Sequence, residues 1–148
     1  MPGVKGRFTL KMLAVDLGLA RTGLAVCDEL ELLASPYTVL HERDEARLID
    51  SICAAAAETG AQRIVVGLPK NMDGSLGERA QACRQAAQKI GVQSGIETVL
   101  WDERCTTVSA HRALNVTNTR GKKRKAVVDA VAAVLILQSY LDYCHNNR

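Results

Sequence analysis

Apolar residues recur along this chain with two different periods, one after the other. Lys11 to Leu17 holds the unbroken run Met12-Leu13-Ala14-Val15, which predicts a strand buried on both faces. Gly18-Leu19-Ala20-Arg21-Thr22-Gly23 reads as a turn, and Leu24-Ala25-Val26-Cys27 as a second strand pairing with the first. Tyr37-Thr38-Val39-Leu40, preceded by Pro36, is a third strand, so the chain opens on an antiparallel meander. The period then lengthens. Asp44 to Thr59 is helical, with Ile49, Ile52, Cys53 and Ala56 on one face and Gly60 just past the end. Ile64-Val65-Val66 is a buried strand stopping at Gly67. Leu76, Ala80, Cys83, Ala87 and Ile90 mark a second helix ending at Gly91. Ile96 to Trp101 is a fifth strand, Val108 to Leu114 a short helix, and Asn115 to Lys125 a polar, basic loop. The last element is a long helix from about Ala126 to Tyr143. Strands first, then alternating helix and strand, predict an α/β domain with a mixed five-stranded sheet and flanking helices.

Three acids sit badly with this pattern. Asp16 closes the first apolar run, Glu103 beside Asp102 closes Val99-Leu100-Trp101, and Asp129 interrupts the most apolar stretch, 126–137. A carboxylate in an apolar setting is costly unless paired, hydrogen-bonded or metal-bound. Sites on open α/β sheets gather at the carboxyl ends of strands, where Asp16 and the 102–103 pair stand. Asp129 is expected in the first turn of the last helix, favoured by the helix dipole, on the face of Ala132, Ala133 and Ile136. Three converging carboxylates without His or Cys are hard oxygen ligands suited to Mg²⁺ or Mn²⁺. A two-metal site, with ions about 3.5–4 Å apart, supports phosphodiester cleavage. Taken singly, each acid is equally well read as a turn, cap or helix-terminal residue. Strand alternation leaves open whether Asp102 or Glu103 faces the metal.

Composition narrows the class. A chain of 148 residues has room for one good core, and only five residues are Phe, Trp or Tyr, so that core is aliphatic. Five of the six residues Arg120 to Lys125 are basic; without them 14 basic residues face 16 acidic ones. The basicity is local and reads as a polyanion contact through Arg120, Lys122, Lys123, Arg124 and Lys125. With no aromatic residue interleaved, phosphate contact rather than base stacking is expected there. Five scattered cysteines without a C-x-x-C pair argue against a zinc site and a disulfide framework, and point to reduced thiols in a cytoplasmic protein. No signal peptide or membrane span is visible, so no membrane partner is expected. Residues 1–11 read as a flexible leader and 12–148 as one domain, a monomer or homodimer. His41, His111 and His145 have no matching partners and read as structural or surface residues.

The stretch from Gly67 to Ser75 links a strand to a helix, and its glycines allow close approach of a ligand. Lys70 and Asn71 add a charge and a donor for phosphate, against a bland reading as ordinary turn residues. Arg21 can pair with an acid or hold a phosphate. Arg104 can orient an acid or bind the scissile strand. Thr106-Thr107 is better read as a helix N-cap than as catalytic.

Four blocks carry a resemblance. Asp16-Leu17-Gly18 with Arg21 and Gly23, Val66 through Ser75, Asp102-Glu103-Arg104-Cys105-Thr106-Thr107, and Lys125 through Asp129 to Ala133 resemble, in this order, the YqgF or RuvX family of Holliday-junction-resolvase-like proteins. The resemblance implies a ribonuclease-H-like fold over 12–148, a metal-dependent nuclease, and a role in maturing the 5′ end of the 16S ribosomal RNA precursor. It carries the family's catalytic, metal-binding acids onto Asp16, Glu103 and Asp129. Structured RNA is then the favoured partner and branched DNA, as for a Holliday-junction resolvase, the enzymatic alternative. A non-catalytic RNA-binding assembly factor is the alternative of another class, although three converging acids would repel RNA without a metal. An actin-like phosphotransferase shares the Asp-x-Gly turn but needs two lobes, for which the chain is too short.

Overall fold

The computed structural model describes residues 10–28, 30–105 and 121–147, without the side chains of 105 and 121–130. Strands β1 (Met12–Asp16), β2 (Thr22–Cys27) and β3 (Ala34–Leu40) form the expected meander. Helix α1 (Glu45–Thr59), strand β4 (Arg63–Leu68), helix α2 (Glu78–Ser94) and strand β5 (Glu97–Asp102) follow, and α3 (Gly121–Asn146) closes the order. The sheet runs β3-β2-β1-β4-β5. β1 pairs antiparallel with β2 and parallel with β4, and β4 pairs parallel with β5. The mixed five-stranded sheet read from sequence is therefore the one formed.

Each central strand feeds two cores, because successive side chains leave opposite faces. Leu13, Val15, Leu24, Ile64 and Val66 meet α1 and α2 on one face. Met12, Ala14, Ala25 and Val65 meet Ala132, Ala133, Ile136, Leu137 and Leu141 of α3 on the other. That double burial explains why β1 and β4 read as continuous apolar runs. No helix among the described residues is long and apolar enough to cross a membrane.

The ends of α1 stand where the sequence places them, and other boundaries move. Asp44 is the N-cap of α1, its carboxylate accepting from the Arg47 N–H at 3.0 Å, and left-handed Gly60 ends the helix. α2 does not stop at Gly91 but at left-handed Gly95. Gly91 serves a contact instead: a Cβ there would lie 3.2 Å from the Thr98 hydroxyl of β5. α3 begins at Gly121 rather than Ala126, so the basic residues Lys122 to Lys125 open this helix instead of ending a loop. Asp129 then lies beyond its first turns, and the dipole argument for its placement falls away. Leu10 and Lys11, expected in the leader, are tied in: the Leu10 N–H donates to the Glu31 carboxylate and the Lys11 carbonyl accepts from the Gln62 N–H. The rest of the leader up to residue 9, the Thr106-Thr107 cap, the Val108–Leu114 helix and Arg120 lie outside the described residues.

Candidate active site

Asp16 ends β1 and is buried, with 4% of its surface exposed. By alternation it shares the α3 face with Met12 and Ala14. It pairs with Gly23 of β2, and on β4 it sits one residue past the Val15–Val66 pair, level with Gly67. The acid is thus flanked by two glycines on the neighbouring strands. The turn that follows is tight. A Cβ on Gly18 would lie 2.1 Å from the Arg21 carbonyl oxygen, so only glycine fits. The Arg79 guanidinium of α2 braces it from outside by donating to the Leu17 carbonyl.

Glu103 follows β5 in a short 3₁₀ turn, Glu103–Cys105, and is also buried, at 8% exposed. It faces the same side as Asp16. A Cβ built on Gly67 would stand 2.8 Å from Glu103 Oε2 and 2.6 Å from Ile136 Cδ1 of α3. The space at Gly67, expected to admit a ligand, is filled by this carboxylate and by α3. Cys83 of α2 senses both acids. Burial raises its thiol above the ordinary range, Arg79 counteracts, and Glu103 and Asp16 raise it further. Two of the three predicted acids therefore converge at one end of the sheet.

Asp102 has a different place. Trp101 turns to α3, stacking edge-on against Tyr140 at 5.4 Å, so Asp102 leaves from the opposite face. Its carboxylate takes Arg104 Nε at 3.1 Å and Nη2 at 2.8 Å, while Lys70 Nζ stands 3.9 Å away. The Arg104 hydrogen bonds hold this carboxyl below the usual range despite partial burial. Of the 102–103 pair, Glu103 is the one that joins Asp16.

The loop between β4 and α2 is self-bonded. Asn71 Nδ2 donates to Ser75 Oγ at 3.0 Å, and Ser75 donates to Asp73 from both N–H and hydroxyl. Arg104 Nη1 reaches the Met72 carbonyl at 3.4 Å. Lys70 and Arg104 thus gather beside Asp102, while Asn71 is bonded within its own loop. Arg21 lies at the head of β2, half-buried. The side chains of Asp129, Lys122, Lys123, Arg124 and Lys125 are outside the described residues. Among the described residues no group of three or more His, Cys, Asp or Glu side chains is placed to hold a metal ion. Sequence reasoning passed over Arg79, Cys83 and the glycine pair around Asp16; the strand register alone shows the last.

The sequence profile of the RuvX family, described as Holliday junction resolvase, matches residues 10–143. This chain belongs to the RuvX family. It is 43% identical over 136 residues to a protein of Geobacillus kaustophilus, covering 90% of this chain and 98% of the relative. It is 37% identical over 142 residues to one of Agathobacter rectalis, covering 94% and 99%. Both relatives carry the name "Putative pre-16S rRNA nuclease". The fold is that of the resolvases: Thermus thermophilus RuvC, solved with a Holliday junction substrate, superposes with a TM-score of 0.62 at 12% identity, over 93% of this chain and 96% of that one.

Proposed function

We propose that this chain is a divalent-metal-dependent nuclease that hydrolyses phosphodiester bonds in the 5′ region of the 16S ribosomal RNA precursor, in the cytoplasm. The observation that carries the reading is the pair of buried carboxylates, Asp16 and Glu103, delivered from two strand ends to one face of the sheet. The names of the curated relatives support RNA as the polymer.

The donor set fits a hard cation, because both buried acids are oxygen donors. Asp16, Glu103 and Asp129 would hold it. In the sequence, Asp129 precedes Ala132, Ala133 and Ile136 at the spacing of one helix face. When bound, a divalent ion supplies an activated water and draws charge from the leaving oxygen. The chain's own part is rigidity. Asp16 ends β1 and Glu103 follows β5 in a 3₁₀ turn, and the paired registers of β1, β4 and β5 hold these two strand ends in place, as preorganised electrostatic catalysis requires. The basic opening of α3, residues 122–125, with Arg120, Lys70, Asn71 and Arg21 as further contacts, would steer the phosphate backbone to the acids with little sequence reading.

Cleavage rates on a 5′-extended 16S precursor RNA and on a four-way DNA junction, each in Mg²⁺, in Mn²⁺ and in EDTA, test this reading. It predicts faster cutting of the RNA and none in EDTA. Faster cutting of the junction would instead favour a resolvase, the reading that the family's description supports. Tight RNA binding without cleavage in any metal would mark a non-catalytic assembly factor.

A further inference from the structure

We propose that Asp102 and Arg104 form a positioning pair that sets the Glu103 carboxylate and ties it to the 69–75 loop, an inference resting on the reading of Glu103 as a catalytic acid. Glu103 sits between the two partners in sequence, and both are fixed to each other across it. The Asp102 Oδ1 accepts from the Arg104 backbone N–H at 2.9 Å, which closes the 3₁₀ turn around Glu103. The Arg104 guanidinium then folds back on the same carboxylate, with Nε at 3.2 Å from Oδ1 and 3.1 Å from Oδ2, and Nη2 at 2.8 Å from Oδ2. Such a planar fork on a carboxylate fixes orientation as well as distance.

The same guanidinium touches the loop. Its Nη1 reaches the Met72 carbonyl at 3.4 Å, and Gly74 passes so close that a Cβ there would stand 3.4 Å from Nη1. Gly74 is in the left-handed region at φ 90°, a conformation that suits glycine. Lys70 adds a longer contact to Asp102 at 3.9 Å. Loop, fork and turn form one connected unit, and the acid projects from its far side over Gly67. Asp102 thus acts through Glu103 and does not join it. The loop–Arg104 contact gives any displacement of residues 69–75 by nucleic acid a direct mechanical route to that acid.

The test compares D102A, D102N, R104A, R104K, the double variant D102A/R104A and E103Q. Single-turnover cleavage at saturating nucleic acid and the Kd for the same fluorescein-labelled RNA in EDTA are measured for each, with the four-way junction as a parallel probe. D102A and R104A should each cut about 100-fold more slowly, the loss expected from misplacing a reacting group by about 1 Å, with Kd unchanged. D102A/R104A should be no slower than either single variant, since the two act as one unit. D102N, which keeps an oxygen for the Arg104 N–H and preserves the fold, should retain more rate than D102A; R104K, lacking the fork, should recover little. A weakened Kd and a shallower salt dependence in R104A, with normal cleavage by D102A, would overturn the proposal and make Arg104 a phosphate contact. Multiplying losses in D102A/R104A would also overturn it. Full cleavage by E103Q would instead remove the reading of Glu103 underneath.

Discussion

Glu103 lies over Gly67 so closely that a Cβ on the glycine would come within 2.8 Å of its carboxylate. The strand that carries Gly67 also carries the level of Asp16, so this one missing side chain brings the two acids to a common face. Gly67→Ala must push both Glu103 and Ile136. Overpacking of this kind costs about 1–3 kcal/mol, which urea unfolding will measure. Cleavage well below the unfolding temperature should fall by more than that loss explains, because the displaced group is the acid itself.

Gly18→Ala should be worse for the fold. The added Cβ meets the Arg21 carbonyl, a backbone atom held between two strands, at 2.1 Å. No side-chain rotation relieves it, so the turn after Asp16 must open. A lower melting temperature together with lost activity is expected, and thermal unfolding followed by circular dichroism checks the first half.

The thiols predict a dependence on alkaline pH. Burial is the main cause that raises Cys27, Cys53 and Cys83 above their ordinary values. The folded protein then keeps these protons to higher pH than the unfolded chain. Their contribution is complete below the unfolded value, about 8.5, and is lost as pH rises through the folded values. Urea midpoints under reducing conditions should therefore fall between about pH 8 and pH 10.

Replacing Lys122, Lys123, Arg124 and Lys125 by Ala should weaken nucleic-acid binding alike for all sequences. The slope of log K against log salt should flatten by about 0.7–0.9 per lost phosphate contact. Anisotropy titrations over a range of salt concentrations measure this directly.

The strands and the two acids at their ends were legible because burial on both faces leaves a continuous apolar run that an acid visibly breaks. The choice between Asp102 and Glu103 was not. It depends on which side of β5 packs α3, and Trp101 decides that by meeting Tyr140. In sequence Gly91 reads as the end of α2, because a glycine that permits a close helix–strand approach looks like one that ends a helix. The start of α3 is hidden for a related reason: a run of Lys and Arg has good helix propensity but resembles a solvated loop. Gly67 reads in sequence as open space, yet only the fold shows that Glu103 fills it.

The most direct measurement is single-turnover cleavage of the precursor RNA in Mg²⁺ and in Mn²⁺ by Asp16→Asn, Glu103→Gln and Asp129→Asn, each verified as folded by circular dichroism. Three acids serving one metal-dependent hydrolysis predict that every variant loses cleavage in both metals while RNA binding persists. Undiminished cleavage by any one of them would contradict the account.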